Sequence, residues 1–402
     1  METFNSGNTG FMLIATSLVM LMTPGLAFFY GGLVGRKNVL TIMIQSFVSM
    51  AIVDILWFTI GYSLCFSGDG LIIGNLDNAF LNGINMMTPY GDGNIPMFVF
   101  VVYQMMFAII TPALITGAFA NRVRFGAYIA FIVLWLVFVY FPFAHMVWGG
   151  GILAKWGVKD FAGGIVVHAT AGFAALASIV FVGRRKVKDS GPHSIPLVAL
   201  GAGLLWFGWY GFNAGSELRV DHITSLAFLN TDLAASVAAV VWLVIAWIVE
   251  KKPKFVGLLT GLIAGLATIT PCVGYVSPVS AMIIGAIASV ICYYAINLVK
   301  VFKLDDALDV WGVHGVGGCI GTILLGVFGN AAINPHGANG VIHGGWIFLG
   351  KQAAAVAIAS LYAFVFTYAM LWLINKITPV KIDAKHEEEG LDEALHGESA
   401  YM

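Results

Sequence analysis

The stretch DFAGGIVVHATAG, residues 160–172, places a carboxylate and an imidazole at the head of an apolar run. It belongs to a chain of 402 residues of which 59% are hydrophobic and 10% charged. Soluble domains carry roughly 45–50% apolar and about 25% charged residues, so this composition is that of an integral membrane protein. An ionisable group inside hydrocarbon is expensive, and each one asks for a partner or a task. The stretch DALDVWGVH, residues 306–314, repeats the arrangement. Seven residues separate Asp306 from His314, as seven separate Asp160 from His168. Small residues follow each histidine: Ala169, Ala171 and Gly172 in one stretch, Gly315, Gly317 and Gly318 in the other.

Working outward, apolar runs long enough to cross a hydrocarbon core of roughly 30 Å lie near 10–33, 40–66, 95–119, 125–143, 162–182, 195–213, 225–249, 255–271, 277–299, 310–328 and 344–375. The expected fold is an all-α polytopic membrane protein with eleven transmembrane helices. An odd number puts the termini on opposite sides. With the amino terminus outside, sixteen basic residues face the cytoplasm, among them Arg36, Arg122, Arg185, Lys254, Lys300 and Lys381; Lys155, Lys159, Arg219 and Lys351 are the four outside. That imbalance sets the orientation. The long outer segment 67–94 carries no basic residue. METFNSGNTG at the start lacks a basic region, so no cleavable signal peptide is expected and the first helix is retained.

The two Asp–His stretches enter from opposite sides. Two groups of five spans with opposite direction, about 10–182 and 195–328, are expected to form inverted repeats with a site near the midplane between them. FFYGGL (28–33) and GWYGFNAG (208–215) echo each other more faintly at the starts of the halves. The run 344–375 stands outside the repeat and is long enough to tilt across the bundle. Residues 1–375 form the membrane domain in this reading, and the charged stretch 376–402 a cytoplasmic tail. Gly257, Gly261 and Gly265, spaced by four, suggest close helix crossings. One difficulty follows from length. At ~1.5 Å per residue each histidine lies only about 9 Å inside its span, from opposite surfaces. The two meet only if both helix starts are sunk below the surface.

The polar residues admit two readings each. Asp160 caps the helix that follows it, bonding the N–H groups of Ala162 and Gly163, a role compatible with a further function. His168 and His314, buried, favour the neutral ring. Neutral imidazoles that face each other share one hydrogen bond and can hold or pass a proton. Trp148, in FAHMVWGGG (143–151), is either an interfacial belt residue or a cation site, since a cation over an indole gains about 0.5–2 kcal/mol. Cys65, Cys272, Cys292 and Cys319 show no metal or redox spacing and read as small apolar fillers. No phosphate loop, nucleophile elbow or zinc pattern is present, and no row of arginines suggests a voltage sensor. Neither an enzyme, nor a cofactor, nor a nucleic-acid partner is expected.

FFYGGLVGRKN (28–38), TPALITGAFANRVRF (111–125), FAHMVWGGG, DFAGGIVVHATAG, GWYGFNAGS (208–216) and DVWGVHGVGG (309–318), in this order along nearly the whole chain, resemble the ammonium transporter (Amt/MEP/Rh) family on its Amt side. The resemblance implies a homotrimer in the cell membrane serving nitrogen uptake, with one pore per subunit. By motif position it implies that Trp148 and Ser216, with Phe107 beside them and Tyr103 next to Phe107, recruit ammonium at the outer mouth. Phe107 and Phe212 would form a stacked gate, His168 and His314 the twin histidines of the pore, and Asp160 the carboxylate beneath the outer vestibule. Two positions depart from the common pattern: Asn121 replaces an acidic residue and Trp311 a phenylalanine. The implied mechanism is that ammonium gives up a proton and ammonia crosses, with net movement of charge favoured over passive gas conduction. GLDEALHGESAY (390–401) resembles a tail signature that contacts neighbouring subunits and PII-type signal proteins; the plain alternative is a solvated tail. A sensor that signals through such a protein, and a proton-coupled porter for another small solute, stand as the rival functions.

Overall fold

Backbone groups in hydrocarbon have no water to bond, so an apolar run must satisfy them within itself. The computed structural model, which describes residues 4–187, 189 and 191–401, does so with helices. These are α1 Ser6–Leu33, α2 Val39–Leu56, α3 Met97–Ile115, α4 Phe125–Trp135, α5 Gly164–Val182 and α6 Ile195–Ala214. There follow α7 His222–Glu250, α8 Phe255–Ile269, α9 Pro278–Val301, α10 Trp311–Phe328 and α11 Trp346–Ile377. Among the described residues ten helices are long and apolar enough to cross a membrane. The eleventh, α8, has 15 residues and is about 23 Å long.

Two expectations change in detail. Beyond Trp135 the α4 helix continues through a π-helical turn, Leu136–Tyr140, and a further helix, Phe141–Val147. Trp148, five residues past the expected end of the span at 143, therefore caps a helix. The segment 67–94 closes in a small antiparallel hairpin, Tyr90 opposite Ile95, which periodicity did not announce. In α8, a methyl on Gly257 would make only ordinary contact with Trp242, whereas one on Gly261 would lie 2.3 Å from Trp242 Cβ and one on Gly265 2.5 Å from Ala238 Cβ. Two of the three spaced glycines are thus the close-packed ones, along the α7–α8 contact. All four cysteines are free thiols.

The repeat is visible in the packing. The first helices of the two halves, α1 and α6, run antiparallel along most of their length. A methyl on Gly201 would fall 2.2 Å from Phe29 N, and one on Gly211 2.6 Å from Ala15 O. At the centre α5 and α10 cross. A methyl on Gly172, four residues after His168, would lie 2.0 Å from Gly315 Cα, one residue after His314. In return, a methyl on Gly318, four after His314, would lie 2.7 Å from His168 Cβ and 2.9 Å from Ala169 N. This reciprocity is what a two-fold relation between the repeats requires. It also removes the difficulty of length: small residues let the two backbones cross, and both helix starts are sunk.

Helix α11 has 32 residues, about 48 Å, and so cannot stand upright in a core of roughly 30 Å. It is tied to the α4 segment by Trp135 Nε1, which donates to Thr367 Oγ1 at 3.1 Å, and by the Tyr362 hydroxyl, which donates to Phe138 O at 2.9 Å. The stretch after it is ordered. Arg124 N donates to Val380 O at 2.9 Å and Ile382 N to Arg122 O at 2.8 Å, a short strand-like pairing. Glu387 accepts from the N–H groups of Lys186 and Val187. The Asp392 carboxylate accepts from Leu40 N at 3.0 Å and Thr41 N at 2.8 Å, capping the start of α2.

The crossing gives a direct test. Gly172→Ala adds one methyl against backbone that cannot yield, so it should destabilise the protein by about 3 kcal/mol. Gly203→Ala meets nothing within 4 Å and should leave the unfolding midpoint unchanged. Thermal unfolding of the two purified variants reads the difference; equal midpoints would refute the packing at the crossing.

Candidate functional site

Both sunk helices start with free N–H groups that water cannot reach. Each has a carboxylate eight positions ahead of its histidine to bond them. Asp160 Oδ1 accepts from Gly163 N at 2.8 Å and Gly164 N at 2.7 Å, and Oδ2 from Ile165 N at 2.7 Å and Val166 N at 3.1 Å. The expected cap on Ala162 is therefore displaced toward the helix. Gly163, at φ 120°, turns the chain so that four successive N–H groups point at the carboxylate and Ala162 stays outside. Asp306 does the same more sparingly, accepting from Val310 N at 3.1 Å and Trp311 N at 2.8 Å. Burial raises the Asp160 carboxyl above its ordinary range, against the pull of its four N–H bonds. Burial likewise pushes Asp306 up to about 6.

From these starts each chain winds one π-helical turn, Gly164–Ala169 and Trp311–Gly315, that delivers its histidine to the crossing. The two Nδ1 atoms lie 3.3 Å apart, with the rings tilted by 27°. One nitrogen must donate and the other accept, so at least one ring is neutral. His168 is 1% and His314 4% exposed, so water scarcely reaches the pair.

On one side a train of rings leads to the pair. Phe212 lies 6.1 Å from His168, Phe107 stacks on Phe212 with centroids 4.2 Å apart, and Trp148 meets Phe107 edge-on at 5.8 Å. Trp148 is held by its indole N–H, which donates to Asp160 O at 2.9 Å. Ser216 donates to Phe212 O at 2.8 Å. Trp148, Phe107, Ser216 and Asp160 all line a cavity of about 260 Å³. Tyr103 does not. It is fully buried, and its hydroxyl is turned onto the α6 carbonyls of Gly211 at 2.9 Å and Phe212 at 3.0 Å. Tyr103, expected at the outer mouth, instead braces the wall from behind.

The passage itself is a space of about 10 Å³ between Leu26, Ile110, Leu114, Val167, Trp209 and the two histidines, room for about one water molecule. Beyond it a cavity of about 480 Å³ opens, lined by Tyr30, Arg185, Lys254, Lys300, Asp309 and His314. Between the two wider cavities, the neck is lined among the described residues by apolar side chains, the Trp209 indole and the two imidazoles. Such a neck strips a solute of water and offers it one hydrogen-bonding pair. It suits a small neutral molecule or a relayed proton, and not a bare ion.

His145 went unweighed in the sequence. It is fully buried, with Nδ1 2.9 Å from Cys65 O and Nε2 2.7 Å from Gly70 O. It pins the segment after α2 to the turn that carries Trp148. A histidine three residues before that tryptophan, in an apolar run, was the available signal. Asn121 and Trp311, the two departures, lie off the passage: Asn121 Nδ2 donates to Asp189 Oδ2 at 3.0 Å, and Trp311 packs edge-on to Phe173.

A family model described as the Ammonium Transporter Family matches residues 10–401. An ammonium transporter of Bacillus subtilis is 44% identical over 398 residues, covering 98% of each chain. The crystal structure of Candida albicans Mep2 superposes with a TM-score of 0.89 at 34% identity, covering 96% of this chain and 88% of that one. A structure titled Sensor Amt Protein gives a TM-score of 0.89 at 31% identity, covering 97% and 98%.

The unequal caps make an ordered outcome. Asp160→Asn turns an amide N–H₂ toward two of the four N–H groups and should cost about 3 kcal/mol; Asp306→Asn, with fewer bonds, should cost about half as much. Unfolding midpoints of the two variants check the order, which equal shifts would contradict.

Proposed function

This chain belongs to the ammonium transporter family and is an ammonium transporter, and from that premise we propose how it moves its substrate. Ammonium is recruited at the Trp148 mouth, over the indole and Phe107 and beside the Ser216 hydroxyl, where cation–π attraction contributes about 0.5–2 kcal/mol. Tyr103 holds Phe107 and Ser216 in place. Asp160 keeps the mouth negative through its carboxylate and fixes the indole through its carbonyl. Phe107 and Phe212 are the gate. Past it the substrate crosses as ammonia, hydrogen-bonded in passing to His168 and His314. The observation that carries this reading is the 3.3 Å imidazole pair set in a neck of about 10 Å³.

Selectivity follows from desolvation. Ammonium and potassium are alike in charge and size, so an aromatic site separates them poorly. Only ammonium can leave its proton behind and enter the neck uncharged, whereas a bare cation there loses its water for no equivalent contact. The proton follows by way of the histidines, so transport moves net charge. In the membrane the amino terminus and the Trp148 mouth face outward and the tail faces the cytoplasm, as the distribution of basic residues indicates. The membrane is the cell membrane, and three copies assemble, each with its own passage. Residues 376–402 form a cytoplasmic regulatory tail, and a PII-type signal protein is its partner.

A second reading has its own support. The likeness to a protein titled Sensor Amt Protein, and a tail docked on three cytoplasmic segments, fit an ammonium sensor that reports through that partner.

Transient currents from the purified protein in liposomes decide among these readings. An ammonium jump should give a saturable current, a potassium jump a current at least about 100-fold smaller, and His168→Ala an altered ammonium response. Internal alkalinisation without current would mean passive ammonia conduction. Neither signal would favour the sensor.

A further inference from the structure

The two repeats differ in sign at the residue before each capping aspartate: Lys159 in the first, Asp305 in the second. Asp305 is paired, accepting from Arg185 Nε at 3.0 Å and Nη2 at 2.8 Å. Lys159 is held only by its backbone. Gln352 of α11, a fully buried amide, takes it up from both sides. Lys159 N donates to Gln352 Oε1 at 2.9 Å, and Gln352 Nε2 donates to Lys159 O at 2.7 Å. Among the described residues its side-chain ammonium has neither a hydrogen bond nor an ion pair. A cation left without a partner while partly withdrawn from water asks for a task.

The place of Lys159 indicates that task. It lines the same cavity of about 260 Å³ as Trp148, Phe107 and Ser216. Of the four basic residues expected outside, it alone does so among the described residues. Lys155 donates to Asp69 O at 3.3 Å, and Arg219 pairs with Glu217 at 3.0 Å and with Asp221 at 2.8 Å. The adjacent Asp160 carboxylate is committed to four backbone N–H groups. Burial holds the Lys159 amine below the usual lysine range. A fixed positive charge therefore shares the aromatic cavity with any cation that enters it.

We infer that Lys159 sets the affinity of the outer mouth, its ammonium opposing the cation that the rings and the Ser216 hydroxyl attract. The inference rests on the recruitment reading above. A cavity of about 260 Å³ holds two charges within about 8 Å of each other, where Coulomb repulsion changes affinity by roughly a factor of 10. The opposition serves passage. A site on a conduction path must attract its ion enough to fill, yet release it readily enough for it to move on. Trp148, Phe107 and the Asp160 carboxylate supply the attraction, and the lysine keeps the recruited cation from settling there.

Lys159→Met removes the charge while keeping the length of the side chain and the backbone bonds to Gln352. Lys159→Arg carries the charge back, and Trp148→Leu removes the indole. Uptake into proteoliposomes is read against ammonium concentration, both as current and as internal alkalinisation. In Lys159→Met the half-saturating concentration should fall about 10-fold. The maximal rate should fall with it, because a tighter hold at the mouth slows departure. Loss of packing alone would not tighten the hold. Lys159→Arg should return both quantities to the parent values. A Lys159→Met half-saturation equal to or above the parent's, beside a rise of about 10-fold in Trp148→Leu, would overturn the inference alone. Trp148→Leu with the parent's half-saturation would overturn the recruitment reading and this inference with it.

Discussion

Two helices that begin inside hydrocarbon must find partners for their first N–H groups, and the rest of the structure follows from how this is done. Asp160 meets four such groups and Asp306 two. Without those carboxylates the starts of α5 and α10 would have to rise to the surface, and each histidine would travel outward with its helix. With them, the starts stay sunk, Gly172 and Gly318 let the backbones cross, and the imidazoles meet. An inverted repeat then does economically what a single site could not. It places two like groups face to face from two opposed directions, using one local motif twice.

The repeats are matched in backbone and unmatched in side chain, and the two mouths differ accordingly. One mouth is aromatic and hydroxyl-bearing, with its carboxylate bonded away among backbone N–H groups. The other is wider and lined by Arg185, Lys254, Lys300 and Asp309. In the function proposed above, cation–π attraction belongs to the first. Between them lies the neck, where in the proposed function the cost of desolvation discriminates between a cation that can shed a proton and one that cannot.

Much of this is legible in the amino-acid sequence. Span count and repeat came from apolar run length and from the seven-residue Asp–His spacing, because hydrocarbon thickness and the helical rise leave few alternatives. The histidine pair was legible for the same reason. Details governed by a single backbone turn were not. The shift of the Asp160 cap past Ala162 depends on the conformation of Gly163. The inward rotation of the Tyr103 hydroxyl depends on how α3 faces α6, which run length does not encode. His145 was passed over because its two carbonyl partners, at Cys65 and Gly70, lie some 75–80 residues earlier in the chain. The order of the tail was open in the sequence too, since its anchors, Leu40, Thr41, Arg122 and Lys186, lie in segments distant along the chain.

At the centre stands the claim that a dry neck holds two touching imidazoles of which at least one is neutral. The most direct measurement is a nitrogen-15 spectrum of histidine-labelled protein in lipid bilayers at neutral pH, with His168→Ala and His314→Ala used to assign the two rings. The account expects neutral-tautomer signals for the pair and a coupling between the two Nδ1 atoms, as their 3.3 Å separation requires. Two imidazolium signals, or rings that show no coupling, would contradict it.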